Sequence, residues 1–276
     1  MRQSVSRFTR SGRVPLSSLC LTLVLAASAS AHDPDAPEEP PPPPSPWEVA
    51  VALGGSLRGG DVSRFAANGD ASVSYYWATD RLTGRVLADY GETTNQVVNV
   101  AGFLVDQKVV DTQNYGGSLL WRHDFTERFF NEARTTADSD PIQSRDVRVT
   151  ADITPGYRVW MRSEKEYFDV KAGPSYRFER FNDGSPDNQF FEGRAAYQFE
   201  GRIGEALEIQ HQTEILVPFS EVEAYLLRSE LTLSVPLVYG FYLRTNGRIE
   251  NLGRPAVGRK DTNYWITFGL EYRFGR

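Results

Sequence analysis

Cysteine is almost missing from this chain: its 276 residues contain one, Cys20. Histidine is nearly as scarce, with His32, His123 and His211 far apart. A disulfide framework is therefore excluded, and no cluster has the spacing of a zinc or calcium site. No glycine-rich loop precedes a helical pattern, so phosphate-cradling motifs are absent and no cofactor is expected. Beyond residue 31 there is also no apolar run near the roughly 20 residues a spanning helix needs, which rules out a helical membrane protein. Positive charge is not in excess, the formal net charge being −6. Without a basic patch to meet phosphates, nucleic acid is not an expected partner. What the chain does have is 13 Tyr, 16 Phe and 5 Trp together with 23 Gly, a mixture that suits β structure better than helix bundles. Its mean hydropathy of −0.42 and 24% charge are the totals of a water-soluble protein.

The first 31 residues have the layout of an export signal. Arg2, Arg7, Arg10 and Arg13 make a basic start, Leu16 to Ala27 a short apolar stretch, and Ala29-Ser30-Ala31 a small-residue cleavage site. The apolar stretch is too short to cross about 30 Å of hydrocarbon. Leu19 before Cys20 departs from a lipoprotein signal, which places a small residue there. Cleavage after Ala31 removes four arginines and no acid, taking the formal charge from −6 to −10, and removes the only cysteine. Residues 32–46 follow as an acidic, proline-rich segment. The run Pro40 to Pro44 is expected to be an extended, solvated spacer, disordered rather than folded.

From Trp47 onward the dominant period is two. Val147, Val149, Ala151, Ile153, Pro155 and Tyr157 alternate with Asp146, Arg148, Thr150, Asp152 and Thr154. Phe168, Val170, Ala172, Pro174, Tyr176 and Phe178 alternate likewise with Asp169, Lys171, Gly173, Ser175, Arg177 and Glu179. Successive strand residues point to opposite faces, so each segment has one apolar and one polar face. About twelve such segments can be marked, at 47–57, 62–77, 82–91, 113–122, 129–138, 145–158, 167–181, 190–200, 206–217, 223–235, 240–250 and 262–274. Short connections alternate with longer ones, notably 92–112, 139–144, 182–189 and 251–261. An even strand number with this alternation describes an all-β, up-and-down antiparallel barrel.

Two features indicate that the apolar faces point outward. Aromatic residues gather at the ends of the apolar stripes: Trp77, Trp121, Tyr157, Phe168, Tyr197 and Phe199 near the short turns, and Phe65, Tyr90, Tyr115, Phe178, Tyr225 and Tyr264 near the loops. Those are the places of interfacial girdles in a transmembrane β-barrel with short periplasmic turns and longer extracellular loops. The last segment, Tyr264 to Phe274, alternates and closes on Tyr272-Arg273-Phe274, similar to the C-terminal sorting signal of bacterial outer-membrane barrels. Gly275 and Arg276 follow the aromatic residue that would ordinarily be last.

The stretch Ala172-Gly173-Pro174-Ser175-Tyr176-Arg177-Phe178-Glu179-Arg180-Phe181-Asn182-Asp183-Gly184 resembles the YdiY-like family of salt-induced outer-membrane proteins, whose domain has no assigned function. The resemblance continues through Leu227-Arg228-Ser229-Glu230 and the closing strand, and covers about residues 47–274. It is weaker at the first hairpin, where Leu57 to Ser63 keeps only the glycine and polar character. It implies a monomeric barrel in the outer membrane, among lipid and lipopolysaccharide, inserted by the barrel-assembly machinery. It brings no substrate and no catalytic residue.

On this reading the lumen is crowded with both signs of charge. Its candidate functional residues are Arg148, Asp152, Lys171, Arg177, Arg194, Glu208, Arg228, Glu230 and Arg244, with Arg85, Arg134, Arg248, Arg273, Asp89, Glu132, Asp169, Glu179, Glu192, Glu214 and Glu250 on the same faces. They fit either a narrow pore orienting small polar solutes or ions, or a salt-bridged plug that stiffens the barrel. A dozen or so strands lies between side-chain-filled barrels of about 8 strands and open porins of about 16. A lipid-facing hydrolase would use His211 with Thr213 beside it, but threonine is a poor nucleophile and no acid shares that stripe, so no enzyme is expected. Asp138-Ser139-Asp140 and Asp183 to Asp187 read as solvated loop tips. Pro155-Gly156 and Gly173-Pro174 fall opposite one another if the turn centres near Glu164. They predict paired bulges that aim Lys171 and Arg177 inward. The apolar segment 92–112 is either a β extension, serving as a surface for binding, or a plug folded into the lumen.

Overall fold

In the computed structural model the described residues are 45–58, 62–98, 104–163, 165–204, 206–255 and 261–275. The expected signal peptide lies outside them, as does nearly all of the acidic proline-rich segment. Twelve strands run in chain order: β1 (Trp47–Arg58), β2 (Val62–Tyr76), β3 (Asp80–Val98), β4 (Leu104–Asp124), β5 (Phe129–Asp140), β6 (Arg145–Ser163), β7 (Glu166–Phe181), β8 (Asn188–Ile203), β9 (Leu207–Pro218), β10 (Leu226–Pro236), β11 (Phe241–Leu252) and β12 (Thr262–Gly275). Each pairs antiparallel with its neighbours in sequence, and β1 pairs with β12 to close the barrel. No helix among the described residues is long and apolar enough to cross a membrane; the strands are the spanning elements. With an even number of strands, both ends of the barrel chain lie at the short-turn end.

The period of two sorts side chains into an outer wall and a lumen. Leu53, Val86, Leu119, Ile153, Ile249, Ile266 and Leu270 are exposed on the outer wall, while charged residues between them are buried inside. This inverts a water-soluble sandwich, where the apolar faces would meet. Aromatic side chains ring both ends of the wall. Trp47, Trp77, Trp121, Phe129, Trp160, Phe241, Tyr272 and Phe274 are exposed at the short-turn end, and Phe65, Tyr90, Tyr115, Phe191, Phe219 and Tyr264 at the loop end. Ring contacts such as Trp47 with Tyr75 at 4.4 Å link neighbouring strands within the girdle.

Two local expectations are corrected, and one alternative left open is decided for the β extension. First, residues 92–112 are not a loop: β3 and β4 continue as a hairpin from Glu92↔Val110 to Val98↔Leu104. β4 gains its second neighbour only from Tyr115↔Ser139 onward, so the hairpin extends beyond the closed wall. Residues 99–103 lie outside the described residues. The valine-rich composition favours strand over loop, and β3 keeps its ladder with β2 as far as Val62↔Asn95, so the segment continues the wall rather than folding in as a plug. Second, no bulge forms at the proline–glycine pairs. The β6–β7 ladder is interrupted between Asp152↔Ser175 and Gly156↔Lys171 but resumes in the same register, and the register shifts lie instead between Arg145 and Val147, Arg158 and Trp160, and Met161 and Ser163. A missing proline donor breaks rungs without inserting a residue. A Cβ on Gly173 would stand 2.2 Å from the Ile153 carbonyl oxygen, so glycine lets β7 lean against β6 there. Lys171 and Arg177 point inward through ordinary alternation. Third, Asp138 and Asp140 are not on a solvated tip: they end β5 facing the lumen, and the Asp140 carboxylate accepts from the Gln143 backbone N–H at 3.2 Å.

Candidate functional site: the ion-paired lumen

The lumen is built from residues of alternate parity on every strand, which is why charges far apart in sequence meet. Among the described residues, three chains of ion pairs fill it. The largest starts near the loop end, where Arg148 donates to Glu179 at 2.7 Å and to Glu250 at 3.0 Å. Arg228 shares Glu250 at 3.0 Å, reaches Asp138 at 3.1 Å and approaches Glu214 at 3.7 Å. Glu214 in turn accepts from Arg134 at 2.6 Å and Arg194 at 2.9 Å, and both arginines clasp Asp152, at 3.0 and 3.2 Å. A second chain runs from Lys171 to Glu132 at 2.5 Å, then through Arg122 to Asp169 and Arg158. The third links Glu230, Arg85, Asp70, Arg244 and Glu271, continuing through Arg273 to Glu208 at 2.5 Å and Arg202.

All nine residues singled out from the sequence are therefore on the lumen side. Arg148 and Arg228 meet on Glu250, and Asp152 with Arg194 in the cluster below; Glu230, Arg244 and Glu208 share the third chain, and Lys171 stands apart on Glu132. Arg177 is tied to Glu192 at 3.3 Å and donates to the Ala224 carbonyl at 2.9 Å. Several pairs are struts across the lumen, joining strands that are far apart around the ring: Arg148 of β6 to Glu250 of β11, Arg228 of β10 to Asp138 of β5, Arg85 of β3 to Glu230 of β10. Buried pairs of this kind add little net stability, because desolvation offsets their attraction, but removing one partner is costly. They fix the cross-section.

Sequence reasoning missed some members. Arg122, Arg158, Asp70 and Glu271 share the parity of recognised lumen residues, so alternation had the signal for them. It also missed an apolar patch inside. Phe190, Leu216, Ala224 and Leu226 are buried near the loop end, and the Arg177 guanidinium lies 4.7 Å from the Phe190 ring centroid. At the short-turn end Phe130 is buried with the Arg122 guanidinium 3.6 Å from its centroid. Between struts the lumen keeps open volume. A cavity of about 380 Å³ at the short-turn mouth shares Glu48, Tyr76, Arg81, Glu200, Gln210 and Arg273 with a second of about 470 Å³. The second reaches Asp140 and Arg145 at the loop end.

His211 lies on the outer wall, as its parity required. Its Nε2 is 3.0 Å from the Ser229 hydroxyl of β10, a neighbour the sequence did not reveal, and its Nδ1 is 3.3 Å from the Tyr197 hydroxyl. Thr213 completes the group at 3.0 Å from Ser229. A phenol stands where a triad would have a carboxylate, so the arrangement is a polar patch whose members satisfy one another against lipid. Among the described residues no group of three His, Cys, Asp or Glu is placed to hold a metal ion.

A closed antiparallel barrel with an apolar outer wall, aromatic girdles and a charged lumen is a transmembrane β-barrel of the outer-membrane type. The chain belongs to the family described as "Protein of unknown function, DUF481", whose profile matches residues 51–274. Solved structures similar to it include the translocator domain of the autotransporter NalP from Neisseria meningitidis, at 11% identity and TM-score 0.44, covering 83% of this chain and 89% of that one. The NanC porin is similar at 10% identity and TM-score 0.48, covering 81% and 98%. The COG4313 outer membrane channel from Pseudomonas putida F1 is similar at 10% and 0.44, covering 89% and 100%. No curated protein matches the sequence.

Proposed function

We propose that the protein is a narrow outer-membrane channel for small polar solutes or ions. The observation that carries this reading is the pair of lumen cavities with shared lining, which together follow the barrel from Trp77 and Asp80 at the short-turn mouth to Asp140 and Arg145 at the loop end. Their lining holds similar numbers of acidic and basic side chains, so permeation is weakly charge-selective and limited by the width between struts. In this reading the chain is exported by a signal cleaved after Ala31, its acidic spacer and short turns are periplasmic, and the monomer is delivered by the barrel-assembly machinery into a lipopolysaccharide-bearing membrane. The family resemblance adds a role in salt or osmotic response. A closed structural barrel is the second reading, favoured by the struts that cross the lumen. Planar-bilayer recording tests the two: the channel gives small, steady unitary currents with near-equal cation and anion permeability, and an electrically silent folded barrel overturns it.

A further inference from the structure

Ion pairing in the lumen is nearly complete, and its exceptions are gathered in one place. Of the charged side chains lining the larger cavity, all but Glu48, Arg81 and Glu200 have an opposite charge within 4.0 Å among the described residues. All three exceptions belong to the waist where the two cavities share their lining. Strand register puts them there. Glu48 of β1 stands opposite Ser74, and Arg81 of β3 opposite Tyr76, on one side of the barrel. Glu200 of β8, opposite Gln210 of β9, faces them from the other side of the ring.

The two carboxylates are held by neutral donors alone. Glu48 Oε2 accepts from the Tyr76 hydroxyl at 2.7 Å. Glu200 Oε1 accepts from the Tyr167 hydroxyl at 2.7 Å and from the Gln198 amide at 3.0 Å. Among the described residues the second oxygen of each, Glu48 Oε1 and Glu200 Oε2, has no such donor. Arg81 lies beside the Tyr76 phenol, and its Nε is buried without a hydrogen-bond partner. Glu132 and Glu200 act on it from beyond ion-pair distance. Charges left unpaired inside a barrel are costly unless water or a ligand meets them. Their signs say which ligand would. A simple anion drawn to Arg81 would face two carboxylates, and a simple cation drawn to the carboxylates would face Arg81. A solute that carries both charges meets all of them with the opposite sign.

We infer that this waist is a binding site for an amino-acid zwitterion. The carboxylate of the solute lies on the Arg81 guanidinium and its ammonium on Glu200, and Glu48 takes a second cationic group where the solute has one. Cavities of about 380 and 470 Å³ on either side leave room for its side chain. The inference rests on the channel reading in one respect, that solutes reach the waist through the lumen; it does not require that they pass through.

L-lysine is the probe, because it has one carboxylate and two ammonium groups. Tritiated lysine is titrated against the folded full chain in detergent micelles, and the same preparation is recorded in bilayers. Folding is checked by heat-modifiable migration. Saturable binding is expected. Lysine methyl ester and hexanoate, which lack the carboxylate and the ammonium respectively, should compete about tenfold less well than lysine. Arg81→Gln and Glu200→Gln break no ion pair, and each should weaken lysine about tenfold. Lys165→Gln, at an exposed turn outside the waist, should leave affinity unchanged. Binding by an electrically silent barrel would uphold the site and overturn only conduction. A conducting barrel without saturable binding would overturn the site. So would hexanoate or the methyl ester competing as well as lysine, or either glutamine variant binding lysine as the unaltered chain does.

Discussion

Replacing Arg194 by methionine removes one guanidinium from between two buried carboxylates while keeping much of its aliphatic bulk. Arg194 is 4% exposed at its side chain and sits 3.2 Å from Asp152 and 2.9 Å from Glu214. Its Nη1 also donates to Thr154 at 3.3 Å. After Arg194→Met both acids depend on Arg134, at 3.0 and 2.6 Å, with Arg228 a further 3.7 Å from Glu214. Asp152 has no exposed side-chain surface and Glu214 has 11%, so water replaces the lost partner poorly. Breaking a buried pair from one side costs about 3–5 kcal/mol, and the remaining arginines offset part of that, leaving a loss of about 3 kcal/mol. The matched control is Arg202→Met: Arg202 pairs with Glu208 at 2.7 Å but is 44% exposed, so its loss should stay within about 1 kcal/mol. The assay is reversible urea unfolding in lipid vesicles followed by tryptophan emission. Adding Glu214→Gln to Arg194→Met should recover part of the loss, because it removes one of the stranded charges. Equal, small effects for Arg194→Met and Arg202→Met would refute the reasoning and describe a lumen wet enough to screen its charges.

Two further outcomes follow from the geometry. Gly156→Ala places a Cβ 2.3 Å from the Phe130 ring, and overpacking there should cost about 1–3 kcal/mol of stability, read as a lower urea midpoint, with Phe130→Leu in the same chain relieving it. Deleting residues 95–110 should leave unitary conductance unchanged, because the segment is a hairpin paired to Val98↔Leu104 rather than a plug; a rise in conductance would contradict the fold described here.

The legible part of this protein was the part governed by period. Alternation in 145–158 and 167–181 placed Arg148, Asp152, Lys171 and Arg177 on one face, and that face is the lumen. It also placed His211 on the outer wall. Where alternation carries no information, the sequence reading went astray. The segment 92–112 mixes polar residues with a run of valines, and so left β extension and plug both open until the β3–β4 ladder decided for the extension. Pro155 and Pro174 signal lost donors, but whether a lost donor becomes a bulge or a gap depends on the neighbour's ability to lean in, which Gly173 provides. Ser229 beside His211 is a cross-strand relation that depends on the β9–β10 register.

An approximate strand number, the wall orientation and the membrane class follow from the sequence alone, because the side-chain period of a strand is fixed by backbone geometry and survives any arrangement of the strands; the closed barrel fixes the count at twelve. The pairing across the lumen was decided only by the closed barrel. Parity assigns Arg134 and Glu214 to the same interior, yet 80 positions separate them, and ring closure alone brings β5 within a side chain's reach of β9. The close approach of β1 and β12 has the same origin: Gly54 and Gly269 are ordinary glycines in the sequence, and a Cβ on either would meet the other strand's carbonyl oxygen only because the first strand must meet the last.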